Sequence, residues 1–346
     1  MTADQEINQP TEPQLVKVQP GKAPPPATKK GMGQRMLHYL HRLAYQTWNN
    51  PIVVKELRGR MRGWRAAAVL IVQMVILGCF ASFIYFVVAQ SAASGATASV
   101  GQAMGQTLFY STYLLQMVMV VFLSPAFTAG AISGERERQT LDLLITTLLP
   151  SHSLVFGKLL SALAYIVLLI LAALPIQSLA FMFGGIILSE IVIGTILLLV
   201  TALITGAIGI LISSIMKSTI ASTVLTYAAI LLFTIGLPIV LSISLSVLVV
   251  IMEEIVEDLS WLWQGALIYL GGFLICTNPF ATAVTTKLIE EEENTFFFFT
   301  TQVGYGRANQ HTIPLISPWI VYTLFYTLVS ILLILISVMV IKRKRG

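Results

Sequence analysis

Six long apolar stretches of this sequence contain no Asp, Glu, Lys, Arg or His through their cores. They lie at roughly residues 66–89, 104–133, 159–183, 191–213, 220–250 and 316–341. Each stretch reaches the ~20 residues that a helix needs to cross ~30 Å of hydrocarbon. Backbone polar groups in lipid must be hydrogen-bonded within the chain, and uninterrupted apolar stretches achieve this as helices. The sequence therefore predicts an all-α integral membrane protein with six transmembrane helices.

Composition and charge distribution agree with this prediction and orient the chain. Of its 346 residues, 56% are hydrophobic and only 11% are charged. If the N-terminus is cytoplasmic, every Lys and Arg except Lys287 and Arg307 falls on the cytoplasmic side. Basic residues favour that side in membrane proteins. We therefore expect a multi-pass protein of the cell (inner or plasma) membrane with both termini in the cytoplasm.

The chain divides into three parts by composition. Residues 1–33 are polar and rich in proline, which predicts a disordered cytoplasmic tail. Residues 34–65 combine apolar and basic positions and predict an amphipathic interfacial segment. Residues 66–346 form the six-helix domain, with a cytoplasmic loop at 134–158 and an outer segment at 252–315.

The interfacial segment carries its charge beside an apolar stripe. Asn50 is a suitable N-cap and Pro51 a suitable first-turn residue for a helix that continues toward the first crossing. Such a helix would lie along the cytoplasmic surface, where basic and aromatic side chains contact headgroups. The alternative is a solvated basic flank that only sets the orientation. The residues that we assign to this candidate elbow are Trp48, Pro51, Lys55, Glu56, Arg58, Arg60 and Arg62.

The loop at 134–158 has an unusual pattern. Four alternating charges at residues 135–138 follow the second apolar stretch, and Pro150 ends the pattern. Between them lie apolar residues at the spacing of one helix face, namely Leu141, Leu144, Ile145 and Leu148. This predicts a short amphipathic helix that must bury its apolar face. The headgroup region and a cytoplasmic partner protein are the two candidate locations.

The outer segment at 252–315 contains a seventh apolar stretch, residues 261–276. With 16 residues it is short for a crossing. A crossing here would also place the basic C-terminal tail outside, against the charge rule. We therefore expect a re-entrant or surface-packed helix that ends at Asn278-Pro279-Phe280.

The sequence offers little catalytic chemistry. Its four histidines include no HExxH pair, and a GxxxxGK[ST] phosphate-binding loop is absent. Cys79 and Cys276 both lie in apolar sequence, which favours two small buried side chains over a disulfide. We predict no catalytic residue, no metal site and no cofactor on this chain. Since the apolar stretches also lack titratable groups, energy for transport should come from outside the membrane core.

The segment ISGERERQTLDLLITT resembles a motif of permease subunits in type-2 ATP-binding-cassette (ABC) transporters, where it opens the cytoplasmic loop after the second transmembrane helix. The matching positions are Glu135, Glu137, Thr140, Leu141, Asp142, Leu144 and Thr146. The resemblance extends to the elbow segment, the six-helix count, GKLL at 157–160 and the NPF tripeptide. Gln139 departs from the pattern, since the family usually has glycine there.

The resemblance implies that the loop is a coupling helix seated in a groove of a separate ABC ATPase subunit. ATP and Mg²⁺ would bind to that subunit and not to this chain. This chain would be a half-transporter that pairs with a second copy of itself or with a sister permease. Membrane lipids would surround it, and no nucleic acid would bind. An exporter is the expected type. The ATPase-coupling residues would be Glu135, Arg136, Glu137, Arg138, Thr140, Leu141, Asp142, Leu144, Ile145 and Leu148.

Two other functions are compatible with the residues. An ion-coupled secondary carrier could bind sodium through hydroxyl groups such as those of Thr201, Thr205, Ser213 and Ser214. A non-transporting membrane scaffold is the third. Five polar residues within the apolar stretches could line a substrate path or form helix–helix hydrogen bonds; they are Gln73, Gln116, Gln177, Tyr165 and Tyr227.

Overall fold

A computed structural model of the chain describes residues 58–59, 63–93, 100–141, 151–241, 243–244, 247, 261–293, 295–303 and 311–343. All of them belong to one compact unit, Gln46–Gly346. The proposed tail at 1–33 and most of the interfacial segment at 34–65 lie outside the described residues.

Six helical spans in the described residues are long and apolar enough to cross a membrane. They are Ala66–Gln90, Gly101–Glu137, His152–Phe183, Leu188–Ile215, Thr219–Leu241 and Pro318–Arg343. These spans confirm the prediction of an all-α membrane protein with six transmembrane helices. They overlap the six apolar stretches of the sequence.

The helices are named here in chain order. The first five are α1 (Trp64–Ala93), α2 (Val100–Thr128), the short α3 (Ser133–Glu137), α4 (Ser151–Phe183) and α5 (Leu188–Ile215). Next comes α6 (Thr219–Leu231), which continues through a π-helical turn, Leu232–Gly236, to the end of the fifth span. The last three are α7 (Trp261–Ile275), α8 (Pro279–Glu293) and α9 (Pro318–Arg343).

Helix α5 lies at the centre of the bundle and packs against α2, α4 and α9. Within its apolar window, 61% of the residues are buried, compared with 11% in the first and fifth spans. The core around α5 contains Met117, Ile166, Leu197 and Tyr322. The exposed apolar faces of α1 and α6 therefore need lipid or another membrane protein to cover them.

All five polar residues considered for a substrate path form hydrogen bonds between helices. Gln73 Nε2 donates to Leu169 O at 3.0 Å, and Gln116 Nε2 donates to Ile170 O at 3.3 Å. Gln177 donates to Gln116 Oε1, and the hydroxyl groups of Tyr165 and Tyr227 donate to Ala66 O and Phe122 O. Such bonds hold helices together in lipid. These side chains therefore have a structural role in the bundle.

The tripeptide Asn278-Pro279-Phe280 connects α7 to α8 and anchors this helical hairpin. Asn278 Oδ1 accepts hydrogen bonds from the N–H groups of Phe280 and Ala281 at 2.8 and 3.1 Å, so it is the N-cap of α8. Pro279 occupies the first helical position, where its missing N–H has no cost. Asn278 Nδ2 donates to Thr234 O, at 2.8 Å, in the π-helical turn.

The connection between α7 and α8 also contacts the last helix. Tyr326 of α9 donates its hydroxyl hydrogen to Thr277 O. Tyr326 lies eight residues after the start of α9, which corresponds to about 12 Å along a helix. The contact therefore places the connection beside α9, about 12 Å from the start of that helix. The choice between a re-entrant and a surface helix at 261–276 stays a prediction.

Among the described residues, the secondary structure that is not helical is a two-stranded antiparallel hairpin. Strands β1 (Phe298–Val303) and β2 (His311–Ile316) pair in a register that places Phe298 opposite Ile316. The sequence analysis assigned no strand to the outer segment. The strands were missed because β1 alternates weakly and begins inside a run of four phenylalanines.

Close helix packing generates a test at Gly105. A Cβ atom at this position would lie 2.1 Å from Gly184 O, whereas a Cβ at Gly78 would meet nothing within 4 Å. We expect Gly105→Ala to lower the thermal unfolding midpoint of the purified protein, since overpacking costs about 1–3 kcal/mol. Gly78→Ala is the matched control. It should leave the midpoint unchanged or raise it, because alanine is the better helix former. Equal midpoints for the two variants would contradict the packing seen here.

Candidate functional site

The predicted coupling loop begins with a tight turn directly after α2. The N–H groups of Ala129 and Gly134 donate to Pro125 O and Gly130 O at 2.8 and 3.0 Å, which carries the helical course into α3. The chain then bends at residues 138–139 and becomes helical again at residues 140–141. We call residues 133–141 the charged turn.

Glu135 connects the charged turn to the beginning of α4. Its Oε1 lies 3.1 Å from the ammonium of Lys158, and its Oε2 accepts a hydrogen bond from the Thr140 hydroxyl. The Lys158 side chain is only 5% exposed and that of Glu135 is 30% exposed. A lysine this deeply buried needs a counter-charge, because desolvation of an unpaired ammonium is costly. Glu135 provides it.

Arg136 binds the C-terminal end of α5. Its guanidinium donates to Ser214 O at 3.0 Å, to Ile215 O at 3.3 Å and to Met216 O. The last carbonyl groups of a helix have no partner within the helix and carry partial negative charge. A cation that donates to three of them satisfies these groups and stabilises the helix end.

Glu137 binds the N-terminal end of α6. One carboxylate oxygen, Oε2, accepts hydrogen bonds from the Thr219 hydroxyl at 2.6 Å and from the Thr219 N–H at 3.3 Å. The first N–H groups of a helix lack intrahelical acceptors and carry partial positive charge. Two adjacent residues of opposite charge thus cap the facing ends of two consecutive spans.

Hydroxyl groups of α5 and α6 complete the contacts from the other side. The Ser213 oxygen accepts hydrogen bonds from the N–H groups of Ile132 and Ser133, both at 2.9 Å, and the Ser222 hydroxyl donates to Ala129 O. All three serines are buried. The charged turn and the residues just before it are therefore bonded to α4, α5 and α6, so a displacement of the turn would act on three spans.

Gln139 occupies the position where the type-2 ABC permease motif usually has glycine. Its φ is 59°, in the left-handed region that glycine adopts most easily. Among the described residues it is the one non-glycine with positive φ. The bend between residues 138 and 140 thus requires this conformation. The substitution preserves the turn and adds the backbone cost of a side chain there.

The structure places the predicted coupling residues in different environments. Glu135, Arg136, Glu137 and Thr140 form the contacts given above, and Arg138 is exposed. Leu141 is 5% exposed and belongs to a core cluster with Ile132, Leu154, Ile210 and Ile341. Its side chain is therefore occupied inside this chain. Asp142, Leu144, Ile145 and Leu148 lie outside the described residues.

Little of the predicted elbow can be placed. Arg58 is helical and exposed. The remaining elbow residues lie outside the described part of the chain; these are Trp48, Pro51, Lys55, Glu56, Arg60 and Arg62. Gly59 lines a cavity of about 300 Å³ beside the charged turn, together with Gly134, Glu135, Arg138 and Lys158. The end of the elbow and the charged turn thus border one cavity.

The individual roles of the alternating charges could not be derived from the sequence. The sequence does indicate part of the contacts, since Ser214 and Thr219 lie at the ends of two apolar stretches, where helix ends need capping partners. What was missing was the knowledge that these two ends lie beside residues 136 and 137. That proximity is a property of the bundle.

Comparison with known families decides the class of protein. The family model described as ABC-2 family transporter protein matches residues 50–341. The chain belongs to this family. Comparison with curated protein sequences gave no match. Family membership and the six apolar spans together define a multi-pass ABC-2 transporter membrane subunit, and membership implies partnership with an ABC ATPase subunit.

The cap on α5 generates a prediction for this ABC-2 subunit. Arg136→Met keeps an unbranched apolar stem but removes all donors to the three carbonyl groups. We expect a loss of about 1.5–3 kcal/mol, typical of hydrogen bonds to charged groups, seen as a lower thermal unfolding midpoint. Arg138→Met is the matched control, because the Arg138 side chain is exposed. A midpoint for Arg136→Met that equals that of the control would contradict the capping role.

The Glu135–Lys158 pair can be tested by a double-mutant cycle. Lys158→Met and Glu135→Gln should each destabilise the protein, and the double variant should lose less than the sum of the two. We expect a coupling energy within about 0.5–3 kcal/mol, the range for residues in contact. Chemical unfolding of the four proteins in one detergent gives the cycle. Additive losses would show that the 3.1 Å contact has no energetic weight.

Proposed function

We propose that this protein is one half of an ATP-driven exporter and that a separate ABC ATPase subunit moves its spans through residues 134–150. The observation that carries the proposal is the bonding of the charged turn to α4, α5 and α6. A partner that displaces this turn would pull on the Glu135–Lys158 pair and on both helix caps at once. Force applied at one short segment would thereby reach three spans.

The distribution of charge within the spans supports an external energy source. Charged residues of the six spans occur only near their ends, at residues 135–137, Lys158, Glu190, Lys342 and Arg343. Carriers driven by protons or ions usually keep an ionisable group at membrane depth. ATP and Mg²⁺ would bind to the partner subunit, which agrees with the absence of a phosphate-binding GxxxxGK[ST] pattern in this sequence.

The burial of Leu141 supports a proposal that only the rest of the predicted apolar stripe faces the partner. Since Leu141 packs inside the bundle, it is a support for the segment and not a contact for the ATPase. We propose that Leu144, Ile145 and Leu148 provide the apolar contact and that exposed Arg138 lies at its edge. An apolar face of this kind suits a hydrophobic groove of another protein.

The proposed arrangement requires a second membrane subunit. Coupling segments would work in pairs, one on each half, so this chain would pair with a copy of itself or with a sister permease. The exposed apolar faces of α1 and α6 offer surface for such pairing and for lipid. We further propose that the charged turn and both termini face the cytoplasm of a cell whose inner or plasma membrane holds the protein, as the distribution of basic residues indicates.

Affinity capture tests the partnership. The tagged full-length protein, captured from native membranes in mild detergent, should recover an ATP-hydrolysing ABC subunit identified by mass spectrometry. Leu144→Asp combined with Leu148→Asp should reduce its recovery at least about tenfold, because carboxylates are poorly accommodated in an apolar groove. Lys217→Asp is the control for introducing an acidic side chain near the charged turn but outside the proposed contact. The Lys217 side chain is exposed, and the residue follows Met216, whose carbonyl group accepts a hydrogen bond from Arg136. Undiminished recovery by the double variant would overturn the assignment of residues 134–150.

A transport assay separates the proposal from its two rivals. Proteoliposomes that hold this chain and the captured ATPase should move substrate only with ATP. Transport by this chain alone under an imposed ion gradient would instead establish a secondary carrier. The hydroxyl groups considered for sodium are already bonded within the bundle, for example Thr201 to Leu197 O and Thr205 to Thr201 O, both at 2.7 Å. If no compound is moved across the membrane under either condition, the protein is a non-transporting scaffold.

A further inference from the structure

A small cavity lies between α2, α5 and α8, at the end of the bundle opposite the charged turn. Its volume of about 20 Å³ is enough for one water molecule or one ion. We call it the α2–α5–α8 cavity. The residues that the argument uses are Tyr110, Tyr113, Glu190, Gly194, Thr286 and Glu290, all of which line it.

Three buried oxygen atoms of this cavity have no hydrogen-bond partner. They are Tyr113 Oη, Thr286 Oγ1 and Glu290 Oε1. Tyr113 and Thr286 are only 3% and 2% exposed. Unsatisfied buried polar groups are rare in folded proteins and cost about 1–3 kcal/mol each. Three of them around one cavity therefore point to a bound species that contacts oxygen atoms.

The charges around the cavity show the sign of that species. Three acidic residues, Glu190, Glu290 and Glu291, and one basic residue, Lys287, lie at or beside the cavity, so a cation suits it better than an anion. The ammonium of Lys287 lies 3.4 Å from Glu291 Oε1 and 4.1 Å from the centre of the Tyr110 ring, so it is already engaged. Burial, together with the charge of Glu190, raises the pKa of Glu290 to about 7.

Local geometry keeps the cavity open and places oxygen-bearing side chains from three helices along its wall. A Cβ at residue 194 would lie 3.0 Å from Tyr113 Cε2, so glycine leaves room for the tyrosine ring against α5. Thr286 and Glu290 are four residues apart on α8 and therefore share one face of that helix. Glu190 approaches from the first turn of α5.

We propose that the α2–α5–α8 cavity binds a divalent cation through the carboxylates of Glu190 and Glu290 and the hydroxyl of Thr286. Water would complete the coordination, and Tyr113 would bond to that water at the deep end. Oxygen ligands of irregular geometry suit Ca²⁺ better than Mg²⁺, which demands a near-ideal octahedron. The cation would tie α8 to α5 and α2. The sequence analysis predicted no metal site, because the two carboxylates lie a hundred residues apart.

Calcium titration of the purified full-length protein tests the site. Since the described residues hold no group of three His, Cys, Asp or Glu metal ligands, we expect half-saturation at about 0.1–1 mM, as in weak extracellular sites. Calcium should raise the thermal unfolding midpoint of the wild-type protein over this range. Glu290→Gln and Glu190→Gln should weaken the response at least about tenfold. Glu292→Gln is the matched control, because Glu292 is exposed on the same helix, and it should respond as the wild-type protein does.

A direct binding measurement distinguishes loss of calcium binding from loss of stability in the variants. Terbium emission excited through tyrosine should appear with the wild-type protein, decline as Ca²⁺ is added and be lost in Glu290→Gln. This variant should fold without added metal, since it removes repulsion between two neighbouring carboxylates. No response of the wild-type protein up to about 10 mM Ca²⁺, well above the weakest such sites, would overturn the proposal. An equal response of Glu290→Gln and Glu292→Gln would do so as well. Neither result depends on the ATPase.

Discussion

Helix ends are the critical points of this membrane protein, because the first N–H groups and last C=O groups of each span have no partner within the helix. At the ends of α5 and α6, two adjacent side chains of one short turn provide the partners. Arg136 donates to the last carbonyl groups of α5, and Glu137 accepts from Thr219 of α6. The turn that we propose as the partner contact thus also caps the ends of two spans.

The bundle itself is held by apolar packing and by neutral hydrogen bonds. Gln73 and Gln116 donate to carbonyl groups of α4, and the Ser124 hydroxyl donates to Ala202 O of α5 at 2.8 Å. The Glu135–Lys158 pair lies near the ends of two spans, and the Lys287–Glu291 pair lies outside the spans, in α8. Within the six described spans, Asp, Glu, Lys and Arg occur only near the ends.

Some features of the site were inaccessible to sequence patterns for specific reasons. Leu141 fits the apolar stripe of a partner-binding helix, yet it is buried in a core cluster that includes Ile132, because the charged turn folds back against the bundle. Gln139 was recognised as a departure from the family motif, but its φ of 59° depends on the bend that the neighbouring contacts impose. The β1–β2 hairpin was missed because its strands pair across a segment whose hydrophobic pattern is weak.

The six spans and the concentration of charge at their ends could be predicted from the residues alone, because long uncharged apolar stretches have one stable form in lipid; the likeness to ABC-2 permeases came from the motif at residues 132–147. The partner of each charge near a span end, and the distant groups that share a cavity, became visible only in the folded bundle. Arg136 is eighty residues from Met216, and Glu190 is a hundred from Glu290. Periodicity reports which face of a helix is apolar. It contains no information about which helix end lies next to another.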